Sequence, residues 1–407
     1  MKKRMMILCG LFLLTVTGLC IAEQGDDIWQ RDTLTGGFWG VNDALEPSGI
    51  DFAFGLTSIY QRNTKGGLSA HSRKGEFSGS YDLEMTMDMM RLLGIEGSIF
   101  IHGEGGWTDS EGIDGQSVGS FFGVNADAIG NRSLDIVELF YEVSLTERLS
   151  LTVGKIDFSG FFDASAYAND ETAQFLNGAL VNNPTVPFPD YSLGVILSYD
   201  LADNWYLMGG VADAQADGRE TGFNTAFHDE DYFVYLVETG VTSQLDSPNG
   251  PLEGTYRVGF WYDPQPKPDW GMKQYRDDNG FYISCDQMLA KENNDPEDTQ
   301  GLGAFARYGY APSKTNDLTN FYSVGVQYQG LLDGRDDDVL GLGYAHGCFS
   351  DRATYTEDYE SVAELYYSVQ ITPWMNLSPS VQYVANPGGS KDVSDAVVCG
   401  VRAQITF

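Results

Sequence analysis

Along most of this chain apolar and polar residues alternate one by one in short runs, and the last run, Asp395 to Phe407, is the clearest. Val397, Cys399, Val401, Ala403, Ile405 and Phe407 share one face, while Gly400, Arg402, Gln404 and Thr406 share the other. That is the period-2 signature of a strand whose two sides meet different surroundings. Residues 77–88 set Phe77, Tyr81, Leu83, Met85 and Met87 against Ser80, Asp82, Glu84, Thr86 and Asp88. Residues 359–371 set Ala363, Leu365, Tyr367, Val369 and Ile371 against Glu364, Tyr366, Ser368 and Gln370. Carboxylates crowded on one strand face demand water. An apolar face opposite a wet one is the pattern of a transmembrane β-barrel, lipid outside and water inside.

Read in this way, the chain predicts strands at 50–60, 77–88, 95–104, 134–144, 149–156, 192–200, 204–212, 232–242, 254–262, 280–288, 302–311, 320–330, 338–346, 359–371, 374–385 and 395–407. The predicted fold is all-β, a transmembrane antiparallel barrel of about 16 strands. Short turns such as Thr146-Glu-Arg148, Leu201-Ala-Asp203 and Thr372-Pro373 alternate with the long segments 105–133, 157–191, 213–231, 263–279 and 347–358. Outer-membrane barrels show this asymmetry, with short periplasmic turns and long extracellular loops. The acidic stretch Lys291 to Asp298 departs from it, being long on the predicted periplasmic side. A soluble exported β-sandwich lectin accounts for neither the loop parity nor the aromatic end.

The N-terminus adds a compartment. Lys2-Lys3-Arg4, an apolar run from Ile7 to Leu19 and the small Ala22 read as a secretory signal peptide over 1–22. Cys20 invites a lipoprotein reading, but Leu19 stands where a small residue belongs. Residues 23–49 then form an N-terminal periplasmic segment, and 50–407 the barrel. The localisation expected is the bacterial outer membrane, with both mature termini periplasmic. A terminal Phe407 resembles the signal by which the barrel-assembly machinery recognises such proteins. Phospholipid and lipopolysaccharide are the surrounding partners expected.

The formal net charge is −34, and loss of Lys2, Lys3 and Arg4 makes it more negative still. Nucleic acid is excluded as a natural partner. In a pore, such a field disfavours anions and leaves neutral and cationic solutes. Of five cysteines, Cys285, Cys348 and Cys399 remain after processing, with no disulfide framework. The four histidines, His71, His102, His228 and His346, have no metal-ligand spacing, so no metal and no cofactor is expected. Gly115-Gln-Ser117-Val-Gly119 matches a nucleophile elbow but lies in a Gly- and Asp-rich loop, so no catalytic residue is assigned. Asp213 to Gly218 only faintly resembles a calcium loop, because Asn224 stands where its Glu belongs.

The register places Glu96, Ser98, His102, Glu138, Glu142, Arg257, Trp261, Arg307, Gln327, Glu364, Gln382 and Arg402 on the lumen wall. Carboxylates and guanidinium groups engage sugar hydroxyls, and an aromatic face packs on a pyranose. The same mixture also describes opposite charges that merely screen one another in a general-diffusion pore, and composition does not separate the two. Segment 157–191 is the expected constriction element, since so long a stretch without strand pattern is usually functional. Its Phe161, Phe162, Tyr167 and Phe175 can pack on the wall, leaving Asp163, Asn169 and Asp170 to solute.

Leu34-Thr-Gly-Gly-Phe-Trp39-Gly, Gly154-Lys-Ile-Asp157, Tyr167-Ala-Asn169, Gln174-Phe-Leu-Asn177, Gly280 to Gln287, Gly330 to Asp337, Glu364-Leu-Tyr-Tyr367 and Gln382 to Gly388 occur in order along the chain. In these the chain resembles the carbohydrate-selective porins of the OprB type over nearly its whole mature length. The resemblance implies a sixteen-stranded channel for passive diffusion of small neutral, glucose-like sugars, and a short helix near Trp39 to Ala44. It implies substrate-binding roles for Arg257, Arg307 and Glu364 on the wall and Asp163, Tyr167 and Asn169 on the loop, beside the register-derived Glu96, Glu138 and Trp261. Monomer and homotrimer both remain open, as do a cation-preferring general pore and an outer-membrane barrel enzyme. The strong acidity departs from what the family leads one to expect.

Overall fold

The computed structural model describes residues 27–72, 74–108, 112–227, 230–295 and 299–407. The signal-peptide expectation for 1–22 and His228 lie outside them. Among the described residues eighteen strands occur in chain order: β1 Ile50–Gly67, β2 Gly75–Asp88, β3 Ser98–Gly106, β4 Arg132–Thr146, β5 Leu149–Ile156, β6 Ser192–Ala202, β7 Trp205–Asp213, β8 Phe233–Leu245 and β9 Leu252–Asp263. There follow β10 Lys267–Pro268, β11 Gln274–Tyr275, β12 Asp278–Lys291, β13 Gly301–Tyr310, β14 Leu318–Gln329, β15 Val339–Phe349, β16 Tyr359–Thr372, β17 Met375–Ala385 and β18 Ser394–Thr406. All but β10 and β11 close into one antiparallel barrel, each strand pairing with its chain neighbour and β18 with β1. β10 and β11 form a separate ribbon.

Closure leaves no edge strand to carry unpaired backbone groups, which lipid cannot satisfy. The alternation read from sequence sets the inside and the outside. In β16 the even residues Glu360, Val362, Glu364 and Tyr366 are buried toward the lumen, and Leu365 and Ile371 are exposed on the outer wall. Outward faces elsewhere carry Phe260, Ile283, Val324, Leu342 and Tyr383. The predicted strands differ from these mainly at their ends; β1 runs well past residue 60. Glu96 is a correction of that kind. It lies before β3, exposed in the connection from 94 to 97, because a helical turn at Met89–Leu93 and Gly94 and Gly97 at positive φ delay the strand.

One barrel end carries the connections 147–148, 203–204 and 373–374, and also the longer 89–97, 292–300 and 330–338. The other carries 107–131, 157–191, 214–232 and 264–277. At the short-turn end residues 27–48 strap the seam where the barrel closes. Leu34 N donates to Thr406 O, Phe407 N donates to Phe54 O, and the Trp374 indole donates to Ile28 O. The helix Gly36–Leu45 begins with a left-handed turn in which Phe38 and Trp39 have φ of 54° and 57°. Phe38 packs at a tilt against Phe52, whose ring centroid is 4.6 Å away, and this packing offsets a conformation that non-glycine residues rarely adopt.

Candidate functional site

The barrel is not an open tube, because two of its long connections fold inward and meet. Segment 157–191 contributes Phe158, Phe162, Phe175, Ala179, Leu180 and Val186 to apolar clusters against the wall. Segment 107–131 contributes Ile113, Val118 and Val124. Ala126 N donates to Leu176 O at 2.8 Å and Gly178 N to Gly123 O at 3.2 Å, so the two loops support one another.

A chain folded into a lumen must bring its backbone donors and acceptors with it, and buried ones need partners. The wall supplies them. Glu364 accepts from Leu176 N and Asn177 N, both at 2.9 Å. Glu238 accepts from Asp163 N at 2.8 Å and from the hydroxyls of Tyr206 and Tyr282. Glu360 accepts from Phe121 N, Phe122 N, Gly388 N and the Ser120 hydroxyl. Arg307 does the converse, donating to the carbonyls of Leu180, Val181, Asp163 and Ala168 at 2.6 to 3.1 Å. Gln61 and Gln382 both donate to Val124 O. At the loop tip, Arg402 donates to Glu171 O and Gln404 to Thr172. Segment 157–191 therefore crosses the lumen, fastened to β8 at Asp163, to β18 and β16 between Glu171 and Asn177, and to β13 on both sides of these.

Two water-accessible chambers flank the crossing. One, of about 340 Å³, is bounded by β1–β4 and the loop tip, and Asp82, Glu84, Glu104, Glu138, Asp170 and Glu171 are among its lining. Register explains the wall: Glu84 pairs with His102, which pairs with Glu138, and Asp82 pairs with Glu104. His102 bridges the carboxylates, with Nε2 3.0 Å from Asp82 and Nδ1 3.4 Å from Glu138. Burial, helped by the neighbouring Asp170, Asp157 and Glu104, pushes the Glu171 carboxyl up to about 7. Burial likewise raises Asp157 above the usual carboxylate range. The second chamber, about 410 Å³, is lined by Tyr167, Arg257, Asp286, Lys291 and Gln327. Ser284 stands between Arg257 and Arg307 in register, and Arg257 reaches along β12 to Asp286 at 2.5 Å.

The residues singled out from sequence thus divide. Arg257 and Tyr167 face the second chamber, Glu138 and Asn169 the first, and Glu96 faces neither. Arg307, Glu364, Asp163 and Trp261 are at most 4% exposed and leave no surface for a solute, which corrects their expected direct contact. The physical reason is the loop itself: period-2 reading puts a side chain on the inner face, but the inserted segment then covers it. Asp163, its carboxyl raised by burial, lies 3.6 Å from Arg307 Nε and is an internal counter-charge, not a solute ligand. Glu238, Glu360 and the inward course of 107–131 were missed. A lone carboxylate between Leu236 and Gly240 on an otherwise apolar inner face, and a second long segment without strand pattern, were the available signals.

A family model described as "Carbohydrate-selective porin, OprB family" matches residues 73–407. Porin B of Pseudomonas aeruginosa is 23% identical, the match covering 98% of this chain and 96% of that protein. The putative porin QuiX of Acinetobacter baylyi is 24% identical over 94% of this chain and 95% of its own. Among solved structures, the high-pH structure of Pseudomonas putida OprB superposes with a TM-score of 0.83 at 19% identity, covering 94% of this chain and 100% of that one. At that identity the superposition speaks for the fold.

Proposed function

The chain belongs to the carbohydrate-selective porin, OprB family, and from that membership we propose that it passes glucose-like monosaccharides by passive diffusion through the two lumen chambers. The family is one of channels and not of enzymes, and porin and barrel together imply the outer membrane. In this reading the short-turn end and both mature termini face the periplasm, and the long connections face outward.

The observation that carries the proposal is the crossing of the lumen by 157–191, which replaces one wide pore with small polar chambers. Each falls in the size range of small-molecule sites. Arg257 with Asp286, and Tyr167 beside them, offer donors, acceptors and a ring within one chamber; Glu138 and Asn169 offer acceptors and an amide in the other. Many weak hydrogen bonds let a sugar enter and leave again. Arg307, Glu364, Asp163 and Glu238 act as positioning residues that hold the crossing segment. Uptake of glucose and of a disaccharide into liposomes carrying the refolded protein tests this. Glucose entry well above disaccharide entry, reduced in Arg257→Ala, is expected; equal entry of both, unmoved by the variant, would overturn it.

A cation-preferring pore is a second reading, favoured by the carboxylates of the first chamber. Reversal potentials in asymmetric KCl separate the two properties, because ion preference and sugar saturation are measured independently.

A further inference from the structure

At the long-loop end, outside the lumen, basic residues gather in a chain whose net charge is −34. A rim pocket of about 360 Å³ is lined by Arg276, Lys314, Arg352, Tyr275 and Tyr310, together with Asp277 and Asp278. The amines of Lys273 and Lys314 sit 4.9 and 5.3 Å from the centroid of the Tyr275 ring, within cation–π range. Asp278 is already engaged by Lys267 at 2.9 Å and by Asn316, and Asp277 accepts from the Tyr262 hydroxyl. The Tyr262 hydroxyl is neutral, so Asp277 keeps its charge, and the lining carries three cations against two carboxylates, one of them paired with Lys267.

Tyr310 links the pocket to the outer wall: it is partly exposed there, with Phe281 5.6 Å away and the exposed Phe260 beyond. The turn of the β10–β11 ribbon reaches the pocket, its Trp270 indole donating to Ser313 O, and its Met272 is 78% exposed. Guanidinium groups match phosphate oxygens in pairs, and an aromatic wall beneath them suits acyl chains. A free anion needs no such wall.

We propose that this rim pocket binds a phosphate group of a phosphorylated glycolipid of the surrounding leaflet, with Arg276, Lys314 and Arg352 on the phosphate and the Tyr310–Phe281–Phe260 face along the chains. It rests on the outward placement of the long connections proposed above. The test uses the full mature chain refolded in detergent and native mass spectrometry, with bisphosphorylated lipid A, chemically dephosphorylated lipid A and inorganic phosphate as probes. The parent should retain lipid A, and the Arg276→Ala, Lys314→Ala, Arg352→Ala variant should bind it at least about tenfold more weakly, the loss of one charge-assisted bond or more. Dephosphorylated lipid A should show a comparable loss on the parent. Equal binding by parent and variant would overturn the site. Equal binding of both lipids would overturn the phosphate, and displacement of lipid A by equimolar inorganic phosphate would overturn the lipid as its source. Glucose uptake should be the same in parent and variant, so failure of this proposal is distinguishable from failure of the channel reading.

Discussion

Replacing Arg307 with Met keeps much of the side-chain volume and removes the cation that fastens segment 157–191. The guanidinium donates to four buried carbonyls and lies 3.6 Å from Asp163, and both residues are almost fully buried. Hydrogen bonds from a charged donor are worth about 1.5–3 kcal/mol each but do not add. Removing one partner of a buried pair costs about 3–5 kcal/mol, because the other charge is left uncompensated. We take that range as the whole effect. At about 1.4 kcal/mol per decade it lowers the ratio of seated to unseated loop by roughly 140- to 4,000-fold. Glu364, Glu238 and the aromatic packing still hold the segment, so the barrel should remain folded while the crossing loosens. Hydrogen exchange of residues 160–182 should quicken, and single-channel conductance should rise with larger fluctuations. Adding Asp163→Asn should recover part of the loss, since it removes the stranded charge. Unchanged exchange and conductance in Arg307→Met, or a double variant worse than the single one by the full cost of Asp163→Asn alone, would refute the reasoning.

Other outcomes follow from the chambers. With the Glu171 carboxyl raised to about 7, it is mostly neutral below that pH and mostly charged above it, so cation preference should grow as pH rises from 6 to 8. Glu171→Gln should flatten that rise in reversal-potential measurements, and an undiminished rise would exclude Glu171 as its source. A methyl group at Gly303 would collide with the Tyr167 ring, so Gly303→Ala should displace that ring and change the glucose-to-disaccharide uptake ratio without unfolding the barrel. An unchanged ratio would remove Tyr167 from the path. Glu364→Ala leaves two backbone N–H groups without acceptors, at about 1–3 kcal/mol each. It should therefore raise the size limit for solutes; a loss of glucose flux at an unchanged size limit would instead mean that Glu364 touches the sugar.

The barrel was legible because period-2 alternation is imposed by two solvents, lipid and water, on every strand, and β16 and β18 carry it over most of their length, departing where Val362, Ala396 and Val398 meet the inserted loops. Loop parity was legible for the same reason of topology. Strand ends were less so, as Glu96 shows, because glycines and a helical turn set them locally. The site was legible only in part. Alternation says that Glu364 and Arg307 point inward, but not that Leu176 N and Leu180 O come to meet them. Contacts between a wall and an inserted loop lie far apart in sequence, and no periodicity encodes them. Arg257 and Glu138 keep part of their surface on the chambers, although Asp157 N at the start of the crossing segment donates to Glu138, and only the assembled structure reveals this.

Titration of the ion current through a single channel with glucose tests most directly the claim that the narrowed lumen recognises sugar. The account predicts a saturating decrease in current, weakened in Arg257→Ala. A decrease that stays linear with glucose concentration, the same in parent and variant, would mean a passage that sorts by size alone and would contradict it.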